Sequence, residues 1–197
     1  MKVKMFNKRL SSLLKEESLQ YKKMFHSKRD YYFAYLTNDH QILIMKYIRR
    51  LRISEFYFNK YKSSNRLSVY FYVLLFFLYR FLKNRIGNKL NIDVREGSLG
   101  KGAIIYHPNV IVNGHSTVGE FCRFHGNNCI GNSGKSQSTP TIGNNVDVGY
   151  GSSIIGDVSI CDNVTIGAGA IVIHSIREPG VYVGVPARKV EGRNGDN

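Results

Sequence analysis

Residues 140–172 read PTIGNNVDVGYGSSIIGDVSICDNVTIGAGAIV, and they count in sixes. A large apolar residue stands at Ile142, Val148, Ile154, Ile160, Ile166 and Val172. The count extends backwards through Ile130, Phe124, Val118, Val112 and Tyr106, with one slot skipped at Ser136. Glycine often follows the anchor, as in Val118-Gly119, Ile142-Gly143, Val148-Gly149 and Ile166-Gly167. Such hexapeptide arrays build β-helices, in which stacked turns bury one apolar column. Three hexads close one triangular coil, so residues 18 apart are expected to stack.

That ruler sorts the histidines. His107 and His125 differ by 18 and each follows an anchor, which predicts one shared face on adjacent coils. His115 and His174 fall in other phases. The array is broken once, by the polar run from Asn132 to Thr139, and phase is kept because Ile130 and Ile142 differ by 12. An insertion that respects register is a loop thrown out of one corner, where function tends to sit.

Upstream of the array the chain changes character. Residues 1–92 hold 20 Lys/Arg against 5 Asp/Glu, so the formal charge of +14 belongs wholly to this part. A basic face suits anionic lipid, glycan or nucleic acid. No RNA-binding motif accompanies the interleaved aromatics, and nucleic acid is not expected as a partner. Residues 1–66 carry apolar positions at helical spacing, such as Ile42, Met45, Ile48 and Leu51. The run from Leu67 to Tyr79 is uncharged but shorter than the roughly 20 residues of a spanning helix. Flanking Arg66, Arg80, Lys83 and Arg85 suit a peripheral membrane contact. Gly87 reads as the C-cap of this helix. Met1 to Lys8 does not read as a secretory leader. Cys122, Cys129 and Cys161 have no metal spacing and fit a reducing cytoplasm, at most at the inner face of a membrane. The expected organisation is a helical, basic region at 1–90, a β-helix at 91–190 and a disordered tail at 191–197.

The segment from Asn91 to Val190 resembles the hexapeptide-repeat acyltransferases, within them the serine O-acetyltransferase-like branch. It is especially similar to members that O-acetylate capsular polysaccharides or exopolysaccharides. The resemblance is carried by His107-Pro108 with Val110 to Gly114, by Pro140-Thr141-Ile142-Gly143 after the loop, and by Val183-Gly184-Val185-Pro186-Ala187-Arg188. It implies a left-handed parallel β-helix assembled as a homotrimer, with acetyl-CoA in the groove between subunits. It also implies His107 as general base and Asp93 as the carboxylate that orients it, with no metal. An alcohol is a weak nucleophile at neutral pH, so an imidazole in reach must take its proton. His125 is kept as a second acid–base or acceptor-binding candidate. Lys135, the backbone at Tyr150 and Ala168, and Arg188 with Lys189 are the expected CoA contacts. Glycine N–H groups after the anchors are candidate oxyanion donors.

Two departures bear on the acceptor. The resemblance leads one to expect aspartate before the catalytic histidine and a second histidine before the Pro-x-Ile-Gly restart. The chain has Tyr106 and Thr139 there. The expected reaction is therefore acetylation of a sugar hydroxyl on a surface polysaccharide or its lipid-linked precursor. Serine O-acetylation and acetylation of an antibiotic-like small molecule are the alternatives. A zinc hydrolase of γ-carbonic-anhydrase type lacks a third histidine in phase, and a non-catalytic scaffold is the remaining class.

Overall fold

The computed structural model describes residues 2–63, 66–134 and 136–190. The expected tail at 191–197 lies outside the described residues. Four helices come first: α1 (Lys2–Lys22), α2 (Lys28–Thr37), α3 (His40–Lys62) and α4 (Arg66–Leu90). They pass directly into a left-handed parallel β-helix. One sheet stacks β1 (Ile92–Val94), β3 (Val110–Val112), β6 (Asn128–Gly131), β9 (Ser153–Ile155) and β12 (Ile171–Val172) in that order. A second stacks β4 (Thr117–Val118), β7 (Thr141–Ile142) and β10 (Ser159–Ile160). The third runs β2 (Ile104–Ile105), β5 (Arg123–Phe124), β8 (Asp147–Val148), β11 (Val164–Ile166), β13 (Gly180–Val183), β14 (Arg188–Lys189). The last pair is antiparallel and closes the far end.

The anchors from Val112 to Val172 are all buried and form the central column. Ser153 pairs with Ile171, 18 residues on, and Cys129 pairs with Ser153, 24 residues on. The extra six residues fall within the 132–139 loop, which leaves register intact on every face. Tight corners need backbone in the left-handed region, which Asn and Gly reach at low cost. One corner is turned by Asn91, Asn109, Asn127, Gly151 and Gly169, all at positive φ.

The first coil departs from the ruler. Ile105, not Tyr106, points inward, and it pairs with Phe124 at a step of 19. Leu99 likewise bridges Val118, also 19 on. The array loses one residue between Val94 and Leu99 and regains it between Ile105 and Val112. The regained residue lies in the turn that carries His107.

Helix α4 does not stop at Gly87. It runs on to Leu90, and Asn91 turns the chain at φ 50°. Gly87 serves close approach instead: a Cβ there would lie 2.5 Å from the Ile92 carbonyl oxygen. A stripe on α4 (Tyr70, Phe71, Leu74, Phe77, Leu78, Phe81) is exposed. No described helix is long and apolar enough to cross a membrane.

The helices cover the open end of the β-helix. A first coil has no preceding coil to pair its N–H and C=O groups, and buried groups left unpaired are costly. Side chains meet them here. Val94 N–H donates to the Tyr47 hydroxyl at 3.0 Å, and Ile105 N–H donates to the Tyr21 hydroxyl at 3.0 Å. Gly102 N–H donates to Glu17 at 3.0 Å, and Gly97 N–H to Glu55 at 2.9 Å. Arg52 donates to the Leu99 and Gly100 carbonyls at 2.7 and 2.6 Å. Lys83 donates to the Val94 carbonyl at 2.9 Å and to Glu96 at 3.0 Å. Ile44, Tyr47, Ile48 and Leu51 join the same apolar cluster as the coils.

Glu96 gives this cap a pH signature. Burial pushes its carboxyl up, but Lys83 and Arg80 override that and hold its pKa below the ordinary range. An acid depressed in the folded state stabilises above its unfolded pKa of about 4.3, and that gain is lost as pH falls through the folded value. Glu96→Gln should therefore be less stable than the parent at neutral pH. The gap should close as pH falls below about 4, as read by urea unfolding across pH. A gap constant with pH would refute the ion pair's role.

Candidate active site

The turn Tyr106–Asn109 sits at an edge where two sheets meet, directly under the helices. Its register continues the third sheet by one step. Tyr106 N–H donates to the Phe124 carbonyl, so Tyr106 faces His125, with ring centroids 4.9 Å apart. His107 faces Gly126. The expected stacking of His107 on His125 is therefore corrected by one residue, through the step of 19. Gly126 is required there: its φ is 105°, and a Cβ would come within 2.6 Å of the His107 Cβ. Buried Asn128 fixes this corner. Its Oδ1 accepts from Gly126 N–H at 3.0 Å, and its Nδ2 donates to the Gly149 carbonyl at 2.7 Å.

Moving up the same edge, the corner after β8 carries Tyr150 and the corner after β11 carries Ala168. Gly169 N–H donates to the Tyr150 carbonyl at 2.8 Å, and a Cβ on Gly149 would touch the Ala168 amide. His107, Gly126, Tyr150 and Ala168 thus share one edge of the prism. Three of them are sequence-derived candidates. Arg188 and Lys189 lie in β14, at the opposite end of the sheet from β2. Five strand steps separate them, about 24 Å at the usual spacing. Lys189 is paired with Glu178 at 2.8 Å, and Arg188 donates to its neighbour's carbonyl at 3.1 Å. Lys135 lies outside the described residues.

His107 is exposed. Its ring stacks on His40 at the start of α3, with centroids 5.6 Å apart and planes 25° from parallel. Asp39 caps α3 by accepting from Gln41 N–H at 2.8 Å, and the same oxygen lies 3.4 Å from His40 Nδ1. His40 Nε2 is buried with no partner among the described residues. An unsatisfied buried nitrogen costs about 1–3 kcal/mol. Sequence reading missed Asp39 and His40. The Asn38-Asp39-His40 stretch signals a helix start, not a neighbour 67 residues away in sequence.

The other candidates stand elsewhere. Asp93 pairs with Ile111 on the face of the first sheet, and among the described residues no hydrogen bond or ion pair joins it to His107. His125 Nε2 meets Asp147 Oδ1 at 2.7 Å, while Asp147 Oδ2 accepts from Arg123 at 2.9 Å. The glycine N–H groups proposed as oxyanion donors are spent in the ladder: those of Gly119, Gly143, Gly149 and Gly167 all donate to the next coil. Burial pushes the Cys122 thiol up to about 11, as befits a packing residue.

Comparison with known proteins gives a consistent answer. The chain resembles serine acetyltransferases. It is 34% identical over 103 residues to that of Synechococcus elongatus, covering 50% of this chain and 42% of the relative. It is 31% identical over 144 residues to that of Buchnera aphidicola from Acyrthosiphon pisum, covering 71% and 48%. The chain spans about half the length of the curated relatives it matches. The crystal structure of the Neisseria gonorrhoeae serine acetyltransferase superposes with a TM-score of 0.65 at 22% identity, over 95% of this chain and 69% of that one. A serine acetyltransferase solved in complex with CoA superposes at 0.58 and 22% identity, over 73% and 55%. No family model matches.

These likenesses overturn the expectation of a glycan acceptor in favour of its serine alternative. Part of the basic, aromatic character of the N-terminal half is spent within the fold. Several of its aromatics are half-buried against one another: Tyr57 stacks on Tyr72 and Tyr79, and Phe58 packs on buried Phe76. Among its cations, Arg52 and Lys83 face the first coil rather than a glycan.

Proposed function

We propose that this protein is an acetyl-CoA-dependent serine O-acetyltransferase. The observation that carries the reading is the exposed imidazole of His107, at the base of the edge it shares with Tyr150 and Ala168. An extended acyl-CoA along that edge would place its thioester at His107 and its nucleotide toward Arg188. Neutral His107 takes the proton of the serine hydroxyl as the oxygen attacks the thioester carbonyl. The tetrahedral intermediate collapses, the C–S bond breaks, and the imidazolium returns its proton to the departing thiolate. The base accounts for about 10²–10⁴-fold in rate, and positioning for much of the remainder. With Tyr106 before the histidine, a carboxylate for the serine ammonium must come from another element. Asp39, beside His40, lies on the same side of the first coil.

A homotrimer fits this reading. A donor lying along an outer edge needs a second wall. Tyr150, Val181, Val183 and Val185 are exposed in the corners and strands beside the edge, a surface suited to a neighbouring copy.

The test is acceptor choice. CoA release from acetyl-CoA should depend on L-serine and yield O-acetylserine by mass spectrometry. Equal release without serine, or release that rises only with a sugar, would refute the proposal. Light scattering should report three copies per particle.

A further inference from the structure

We infer that His40 is a positioning residue for His107: its ring, set by the Asp39 cap of α3, holds the base in the orientation that accepts the hydroxyl proton. The inference rests on the reading of His107 as base. The His107 ring stands on an exposed corner, and among the described residues its one ring contact is His40. A side chain so placed samples several staggered rotamers. Two neighbours remove that freedom. Gly126 seats the Cβ from below, and the His40 plane lies against the ring.

The place of His40 in the chain is fixed by the helix that carries it. It opens α3, and α3 is tied to the first coil through Tyr47 and Arg52. Asp39 fixes the helix start and lies 3.4 Å from Nδ1. The other nitrogen, Nε2, is closed off from solvent. With Nε2 closed off and Nδ1 beside Asp39, the ring offers the acceptor no free nitrogen and acts through His107. The arrangement ties orientation of the base to docking of α3 on the coil.

Two variants of the full chain test this. His40→Ala removes the plane. His40→Phe keeps a plane and discards the unpartnered nitrogen, so it should fold at least as stably. Misplacing a reacting group by about 1 Å costs on the order of 10²-fold. His40→Ala should therefore lower kcat by about that factor with KM for acetyl-CoA unchanged, and His40→Phe should recover most of the loss. The second readout needs no activity. Carbethoxylation of His107 by diethyl pyrocarbonate, followed by mass spectrometry, should accelerate in His40→Ala and return to the parent rate in His40→Phe. Parent-like kcat in His40→Ala, or a His40→Phe protein as impaired as His40→Ala, would overturn the inference. If the parent transfers no acetyl group, the function proposed above fails. The carbethoxylation rates then decide alone, and equal rates in all three proteins refute the positioning role.

Discussion

A His107→Ala protein should lose about 10²–10⁴-fold in acetyl transfer to serine and almost nothing in stability. The two halves of this expectation have separate origins. The imidazole is exposed and accepts no hydrogen bond among the described residues, so truncation opens no cavity and orphans no buried partner. Gly126 beneath it keeps its corner through Asn128. The loss falls on the chemical step, because the hydroxyl then has no base within reach. Activity should fall in kcat, while KM for acetyl-CoA stays near the parent value, since the proposed donor contacts lie further along the edge. CoA release with and without serine, beside a melting curve, checks both halves. A variant with substantial kcat removes His107 from the mechanism, and His125 with its Asp147 partner becomes the base to test next.

The β-helix was legible because burial repeats. Inward positions recur every sixth residue, and from Val112 to Val172 the anchors are the buried ones. The single loop could be placed because the length it adds is a whole hexad. The first coil could not be read this way. Its segment from Val94 to Leu99 is one residue short and that from Ile105 to Val112 is one long, so the count is correct at both ends and wrong between. Tyr106 is apolar enough to pass for an anchor, and Ile105 beside it is the true one. Sequence periodicity cannot separate two adjacent apolar residues; only the pairing of Ile105 with Phe124 does. The shift matters because it moves His107 from above His125 to above Gly126.

The proposed site was legible only as far as local sequence reaches. His107 is proposed as base on its motif. Its companion His40 was not legible, since the contact joins a helix start to a coil corner and leaves no periodic trace. The charge count left out the cations that the fold uses internally. Composition reports how many cations a segment holds, not which way they face. Arg52 and Lys83 point at carbonyls of the first coil, which no charge tally reveals.

Replacing Arg52 with alanine should give the largest stability loss of any single change at the cap. Arg52 is 4% exposed and gathers Glu17, Glu55 and the Leu99 and Gly100 carbonyls on one guanidinium. Burial works against its charge, yet Glu55 and Glu17 more than offset this and hold its pKa above the ordinary value. Removing it leaves the Glu17 carboxylate buried without a counter-ion and two carbonyls of an unpaired coil edge without donors. Breaking one member of a buried ionic cluster costs about 3–5 kcal/mol. For a chain of this size that is a melting shift on the order of 10 °C. Glu17→Gln in the Arg52→Ala background should recover part of the loss, because it removes the stranded charge. The same alanine change should also loosen α3 and with it His40, so activity should fall in kcat before the protein melts. An Arg52→Ala protein within about 1 kcal/mol of the parent would mean the cluster is solvated, and that apolar packing of Ile44, Tyr47, Ile48 and Leu51 alone docks the helices on the β-helix.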